Sequence, residues 1–354
     1  MNKLRTILLT ILVGCISSSI TIGQNVSNRK TGTKDEAYID SLKKAPYEWR
    51  LPILGAKIRK LGFDMPYPNG IMLSYANANQ YVTMKDLSIG TNPNNMVNVS
   101  DIVRFESVIP AVNAVNLRYD FWLLPFLNLY GMLGYVESIS DIKMSLPISA
   151  EFQSNGKGPN LGWGFAAAAG AGPVFLTCDY NMVWTWMPQL EGAALAQMAD
   201  IRVGHNFTFK KYPEAGLAIL IGANWMKLNP QSVGSVDMST VTGLTPEKKE
   251  GALNDLNDWY DGLSVNNQNR LSDFYDGMEG WLSGSGTTLH YTFDKNLYYP
   301  WSATIGANYS INKRFGLMAM YTFLGSREQL VLSFSYRFGF KGKNMLSSME
   351  FYLK

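Results

Sequence analysis

Across residues 301–340 apolar and polar side chains alternate almost without error, and a period of two is the signature of half-buried β-strands. In 301–312 the odd positions Trp301, Ala303, Ile305, Ala307, Tyr309 and Ile311 are apolar, while the even positions carry Ser, Thr, Gly or Asn. In 330–340 Leu330, Leu332, Phe334, Tyr336, Phe338 and Phe340 share one face, with Ser333, Ser335, Arg337 and Gly339 on the other. Between them, Phe315, Leu317, Tyr321 and Phe323 keep one side, bounded by the turn residues 312–314 and 325–328. Strands with one aromatic, apolar face and one small, polar face suit a transmembrane β-barrel with lipid outside and a polar lumen.

The same texture begins near Gly70. Strands are expected over 71–78, 101–109, 112–124, 126–137, 142–152, 161–172, 174–185, 199–209 and 217–226, with a weak final strand over 345–353. In 112–124 Val115, Leu117, Tyr119, Phe121 and Leu123 face outward and Asn116, Arg118 and Asp120 inward; in 199–209 Ile201, Val203, Phe207 and Phe209 face outward and Asp200, Arg202, Asn206 and Thr208 inward. The fold class is therefore all-β: a transmembrane antiparallel up-and-down barrel of about 12–14 strands over 69–354, with a helical hairpin inserted at 245–283. Tight turns near Ser140, Pro173, 210–213, 294–300 and 325–328 are expected on the periplasmic side, and the looser 153–160, 187–194 and 227–286 on the other.

The insert is the one place where helical spacing wins. Thr245 before Pro246 reads as an N-cap followed by proline at the first helical position. Leu253, Leu256, Trp259 and Leu263 recur at spacings of three and four, and Leu271, Phe274, Met278 and Trp281 resume the pattern after a break at 264–269. With Trp259, Phe274 and Trp281 on its stripes, this hairpin is expected to cap or enter the barrel mouth, or else to present a docking surface for a partner or hydrophobic ligand.

Composition agrees with a membrane barrel. Charged residues are 17% of the chain, against about 25% in an average soluble domain, and the net charge of +3 supports no nucleic-acid partner. Residues 1–23 read as a secretory signal peptide, with Lys3 and Arg5 before an apolar run and cleavage expected near Gly23; residues 12–15 also fit a lipobox that would lipidate Cys15. Without Cys15 only Cys178 is left, so no disulfide framework is possible. Residues 24–68 are basic, with Lys and Arg at nine positions against Asp and Glu at five. They form either a periplasmic extension or a lumenal plug, and their charge is opposite to that of the hairpin at 245–283, where eight Asp and Glu outnumber three Lys and Arg, which makes contact between the two an expectation.

Candidate chemistry is sparse. His205 falls on the lipid face and His290 on the lumenal face, neither with a Ser two residues on, and two histidines with one cysteine build no zinc site unaided. No cofactor, metal or catalytic residue is expected. The inward charged set, Arg118, Asp120, Lys143, Asp179, Asp200, Arg202, Asp294 and Arg337, reads either as ion pairs that stiffen the wall or as a constriction that selects permeants by charge.

Gln24 at the expected cleavage site, the aromatic alternation of 330–340, and the run RYDFWLLPFLNLYGMLGY at 118–135 together resemble outer-membrane β-barrel proteins of Bacteroidetes-type bacteria. That resemblance implies a Gram-negative outer-membrane location with passive transport or envelope structure as the role. The expectation is a porin-like channel or facilitator for small solutes, in contact with outer-membrane lipid and not an enzyme. A plugged structural or binding barrel is the alternative, and a lipid-modifying hydrolase the second.

Overall fold

The computed structural model describes residues 33–342 apart from 101, 103, 148–149, 189, 210, 213, 230, 238–244 and 285–287. Its strands are β1 (Asn69–Gln80), β2 (Val82–Gly90), β3 (Val97–Asn98), β4 (Arg104–Leu124), β5 (Leu127–Leu146), β6 (Ala150–Ala171), β7 (Val174–Trp186), β8 (Ala193–Thr208), β9 (Gly216–Leu228), β10 (Gln231–Asp237), β11 (Thr288–Leu297), β12 (Trp301–Ser310), β13 (Phe315–Phe323) and β14 (Arg327–Phe338). Ten of them close into an antiparallel barrel in the order β1-β14-β13-β12-β9-β8-β7-β6-β5-β4. The other four form a separate sheet, β10-β11-β2-β3, beyond one end.

The alternation decides which side chain goes where. Leu330, Leu332, Phe334, Ile305, Tyr309, Ile201 and Val203 are all exposed on the outer wall, while Ser302, Thr304, Ser310 and Ser333 on the opposite face are buried. A wall this apolar is stable only in lipid, where the hydrophobic effect favours the same faces that water would penalise. No helix among the described residues is long and apolar enough to cross a membrane. Cys178 and His205 lie on the outer, exposed face as expected.

The strand count is ten in the barrel, below the expected twelve to fourteen. The pieces read separately at 101–109 and 112–124 are one strand, β4, which passes through Pro110 opposite Ser140. Likewise β5 absorbs the expected break at Ser140, and β6 runs from Ala150 to Ala171 without the loop expected at 153–160. Because β7 meets only Asn160–Ala171 of β6, the earlier part of β6 projects past the barrel together with β5 and β4. Strands that leave the bilayer can exceed the roughly 9–11 residues a membrane crossing needs, and a polar interruption then marks no turn.

One end carries the tight connections: 125–126, Gly172-Pro173, the 209–215 segment, and 311–314. At 311–314 the Asn312 side chain accepts from the backbone N–H groups of Arg314 (2.8 Å) and Phe315 (2.9 Å), fixing the turn. The turn at 324–326 and the 298–300 connection belong to the opposite end, contrary to the expected grouping; they sit side by side, with Tyr299 N–H donating to the Ser326 hydroxyl oxygen. Since β14 already pairs with β1 from Phe338↔Asn69 to Arg327↔Gln80, no further strand is needed to close the barrel. The strand expected at 345–353 lies outside the described residues, as do Cys15 and residues 1–23.

Both ends are covered. At the tight-turn end the chain from Glu48 to Pro68 lies across the rim: Ile53 N–H donates to the Leu123 carbonyl (2.9 Å), Arg50 N–H to Phe340 (3.2 Å), and Trp122 N–H to Pro68 (2.8 Å). Lys313–Asp64 (2.8 Å) and Lys341–Glu48 (3.1 Å) ion pairs add to this dock. Helices α1 (Thr33–Lys44) and α2 (Gly55–Lys60) belong to the same segment. At the other end α3 (Pro246–Asp261) and α4 (Val265–Ser283) form the expected hairpin, with Thr245 as N-cap to α3. Their stripes pack on the four-stranded sheet: Leu256, Leu271, Phe274, Met278 and Trp281 bury against Leu87 and Val99. Among the described residues, from Thr33 on, the basic segment and the acidic hairpin therefore sit at opposite ends and do not meet, contrary to their charge complementarity.

Leu332 is 46% exposed on the outer wall. Leu332→Arg is expected to destabilise the folded barrel by about 2–4 kcal/mol in equilibrium denaturation from lipid vesicles, while Leu332→Ile is expected to stay within about 1 kcal/mol of the parent.

Candidate functional site

Between the two covers the barrel encloses a cavity of about 1220 Å³. Its floor includes Phe63, Asp64 and Met65 from the N-terminal segment, and its roof Phe274, Met278 and Trp281 from α4 with Tyr291, Phe293 and Lys295 from β11. Inward positions of the ten strands make the wall. The wall is not uniform in chemistry, and the strand registers order it from floor to roof.

Toward the floor lies a connected polar network. Asp120 is its hub: Oδ1 accepts from Arg337 Nη2 at 2.9 Å and from Asn128 Nδ2 at 2.7 Å, and Arg118 Nε stands 4.0 Å from Oδ2. Arg118 also donates to Asn128 Oδ1 at 3.1 Å and lays its guanidinium 3.5 Å over the Tyr130 ring. The Tyr130 hydroxyl donates to Asp179, 3.0 Å from both oxygens, and Asn181 donates to the same carboxylate at 3.2 Å. On the adjacent strand β8, in register with Asp179, Asp200 is held by Arg202 at 2.8 Å. Arg337 reaches past the network to the Tyr67 carbonyl (3.1 Å), so one guanidinium binds both the lumenal hub and the N-terminal cover.

Glycines on β6 make room for this network. A Cβ on Gly164 would fall 2.5 Å from the Tyr130 ring and 2.4 Å from the Tyr180 carbonyl. The bare backbone there lets Tyr130 lie flat against the wall and reach Asp179.

Of the lumenal set expected from alternation, Arg118, Asp120, Asp179, Asp200, Arg202 and Arg337 do line the one cavity. Asp294 does not. It belongs to β11 of the four-stranded sheet, opposite Gln231 and Lys85, because the segment before Trp301 leaves the barrel wall. Lys143 is exposed on the projecting part of β5. His290 also lies on β11, beside Gly90 and Ser235, with its Nδ1 buried and bonded to neither an acid nor a hydroxyl.

The hairpin aromatics divide as well. Phe274 and Trp281, 1% and 2% exposed, are buried rather than offered as a surface patch, and they face the cavity roof. Trp259 packs edge-on to Phe274 at 6.3 Å inside the hairpin core and does not reach the cavity.

Besides Lys313 and Arg314 of the rim turn, two cavity cations lie outside the set expected from alternation. Arg327 looked like a turn residue beside Gly325 and Ser326, yet it is 6% exposed and points inward. The signal was present in its parity, since Arg327 shares the inward register of Gln329, Ser333, Ser335 and Arg337. Lys295 was hidden by the assignment of 288–297 to the barrel. Burial in the cap pulls its pKa below the ordinary lysine range.

No protein-family model matches the chain, and no curated protein matches its sequence. Among solved structures it is similar to the β domain of the Bordetella autotransporter BrkA (10% identity, covering 77% of this chain and 100% of that one, TM-score 0.33). It is also similar to the translocator domain of the autotransporter NalP from Neisseria meningitidis (10%, 86% and 94%, TM-score 0.32). A third is the COG4313 outer membrane channel from Pseudomonas putida F1 (9%, 78% and 97%, TM-score 0.27).

Removing one member of a buried charge pair leaves the other uncompensated, at about 3–5 kcal/mol. Arg337→Ala is expected to destabilise the barrel by that amount in denaturant titration and to loosen the N-terminal cover, read as faster proteolysis before Pro68. The double variant Arg337→Ala/Asp120→Ala is expected to recover part of the lost stability.

Proposed function

We propose that this chain is a Gram-negative outer-membrane barrel that admits a small, largely apolar solute through a covered lumen. It works as a selective facilitator and not as a general porin or an enzyme. The observation that carries this reading is the cavity itself: a space of about 1220 Å³ with a polar floor, an apolar upper wall and a cover at each end. A general pore presents an open, water-filled lumen. Here the N-terminal segment is docked through ion pairs at the rim and through Arg337, and the hairpin roof places Phe274, Met278 and Trp281 over the opening. The tight-turn end with its N-terminal cover faces the periplasm in this reading, and the helical cap faces outward. A Bacteroidetes-type envelope is part of the same proposal.

The polar floor favours selection over simple sealing. Its ions are paired and hydrogen-bonded, which tolerates burial, while the cavity above them is left to side chains that water does not wet well. Apolar pockets with a few placed polar groups are the usual form of small-molecule sites.

Planar-bilayer recording separates this from a structural barrel. The intact protein is expected to show little or no steady ion conductance. A variant lacking both 33–60 and 245–284 is expected to give step conductances, and each single deletion an intermediate or flickering one. An intact protein with large, steady conductance would mean an open porin; silence in the double deletion would mean a structural barrel.

A further inference from the structure

We propose that Arg327, with Asn224 and Thr304, is a head-group site for an amphipathic carboxylate whose apolar part lies beneath the helical cap. This rests on the reading of the lumen as a solute site and names the class of solute.

Toward the floor the partly buried cations have carboxylate partners, Arg118 and Arg337 on Asp120 and Arg202 on Asp200, while at the exposed rim Lys313 pairs with Asp64 and Arg314 meets the Tyr336 hydroxyl. Arg327 differs. Among the described residues its guanidinium bonds to the Asn224 side-chain oxygen and to the sulfurs of Met226 (3.1 Å) and Met198 (3.4 Å), and its Nε is buried without a partner. Asp200 acts on it electrostatically but is already held by Arg202. Thioether sulfur is a weak acceptor, and a guanidinium buried with neutral partners alone is costly. An anion supplied from outside resolves this better than any side chain in place.

The neighbours fit an oxyanion. Four adjacent strands, β9, β12, β13 and β14, bring inward residues together: Asn224 pairs with Ser302, Thr304 with Thr322, and Thr322 with Gln329, two residues from Arg327. Thr304 is 1% exposed and its hydroxyl is buried without a partner. Asn224 retains two amide donors beyond the oxygen that Arg327 uses. A planar guanidinium, an amide and a hydroxyl match the flat, two-oxygen geometry of a carboxylate.

The surroundings fit the rest of such a molecule. Met198, Met226 and Leu228 rise from the same wall, and Phe274, Met278 and Trp281 come down from the roof. Methionine adapts to chains of varied shape. Lys295 lines the same cavity, a second cation with no carboxylate partner among the described residues, and burial lowers its pKa, as befits an ammonium that lacks a counter-ion.

Equilibrium dialysis of the full-length protein in lipid nanodiscs, with empty nanodiscs subtracted, tests this with radiolabelled octanoate. The expected result is one saturable site per barrel that octan-1-ol displaces only at about tenfold higher concentration or more, as loss of a charge-assisted hydrogen bond implies, and that inorganic phosphate does not displace. Arg327→Gln is expected to weaken binding by about tenfold or more, and Arg327→Lys to restore part of it. Heat-modifiable gel mobility checks that each variant folds. Equal displacement by octan-1-ol would overturn the proposal in favour of an apolar cavity alone, a comparison that needs no variant. Displacement by phosphate would overturn it in favour of a simple anion site, and unchanged binding in folded Arg327→Gln would remove Arg327 from it. Binding is read without transport, so a barrel that conducts nothing can still pass this test and a conducting one can fail it.

Discussion

In hydrocarbon every backbone N–H and C=O must find a partner within the protein, and closure of β1 onto β14 is the step that satisfies the last of them. The pairing runs the full length of β1, from Asn69 to Gln80, and the same strand pairs with β4 on its other side. Everything else follows from this closed ladder. Once the ends of the sheet are joined, successive residues must point alternately to lipid and to lumen, so Leu332 and Phe334 face the bilayer while Ser333 and Ser335 face the interior. A shift of β4 by one residue would send Arg118 and Asp120 into lipid, which fixes the register strongly.

The interior then has to accommodate polar residues in a confined space. The floor does so by mutual satisfaction: Asp120, Arg337, Asn128, Arg118, Tyr130 and Asp179 form one chain of contacts across β14, β4, β5 and β7. Such a chain stiffens the wall, and through the Tyr67 carbonyl it also holds the N-terminal segment in place. The upper wall is built otherwise, largely from methionine and small apolar residues, with Arg327, Asn224, Thr304, Thr322 and Gln329 set among them. That contrast between a self-satisfied floor and an unsatisfied upper wall is what makes the cavity look like a binding space rather than packing left over from closure.

Much of this was legible in the sequence because the barrel code is local. The parity of 301–312, 315–324 and 330–340 places the lipid and lumen faces of those strands, and six of the eight inward charged candidates read from alternation along the chain do line the cavity. Thr245-Pro246 announced the helix that follows. What failed was non-local. Alternation looks the same in a barrel strand and in a water-exposed sheet, so β11 with Asp294 and His290 was read as wall when pairing with β2 and β10 carries it into the cap. Strand lengths failed for the same reason, since β4, β5 and β6 continue as a sheet past the bilayer. The meeting of basic segment and acidic hairpin failed because net charge carries no information about which end of a barrel a segment reaches.

The central claim is a lumen shielded at both ends inside a wall embedded in lipid, and thiol reactivity tests it most directly. With Cys15 and Cys178 replaced by alanine, single cysteines at Met132, which lines the cavity, and at Leu332, which faces lipid, are treated in proteoliposomes with a charged, membrane-impermeant maleimide. The account predicts slow labelling at both positions, and acceleration at Met132 alone when residues 33–60 and 245–284 are removed. Fast labelling at Met132 in the otherwise intact protein would contradict a covered lumen, and fast labelling at Leu332 would contradict the membrane-embedded wall.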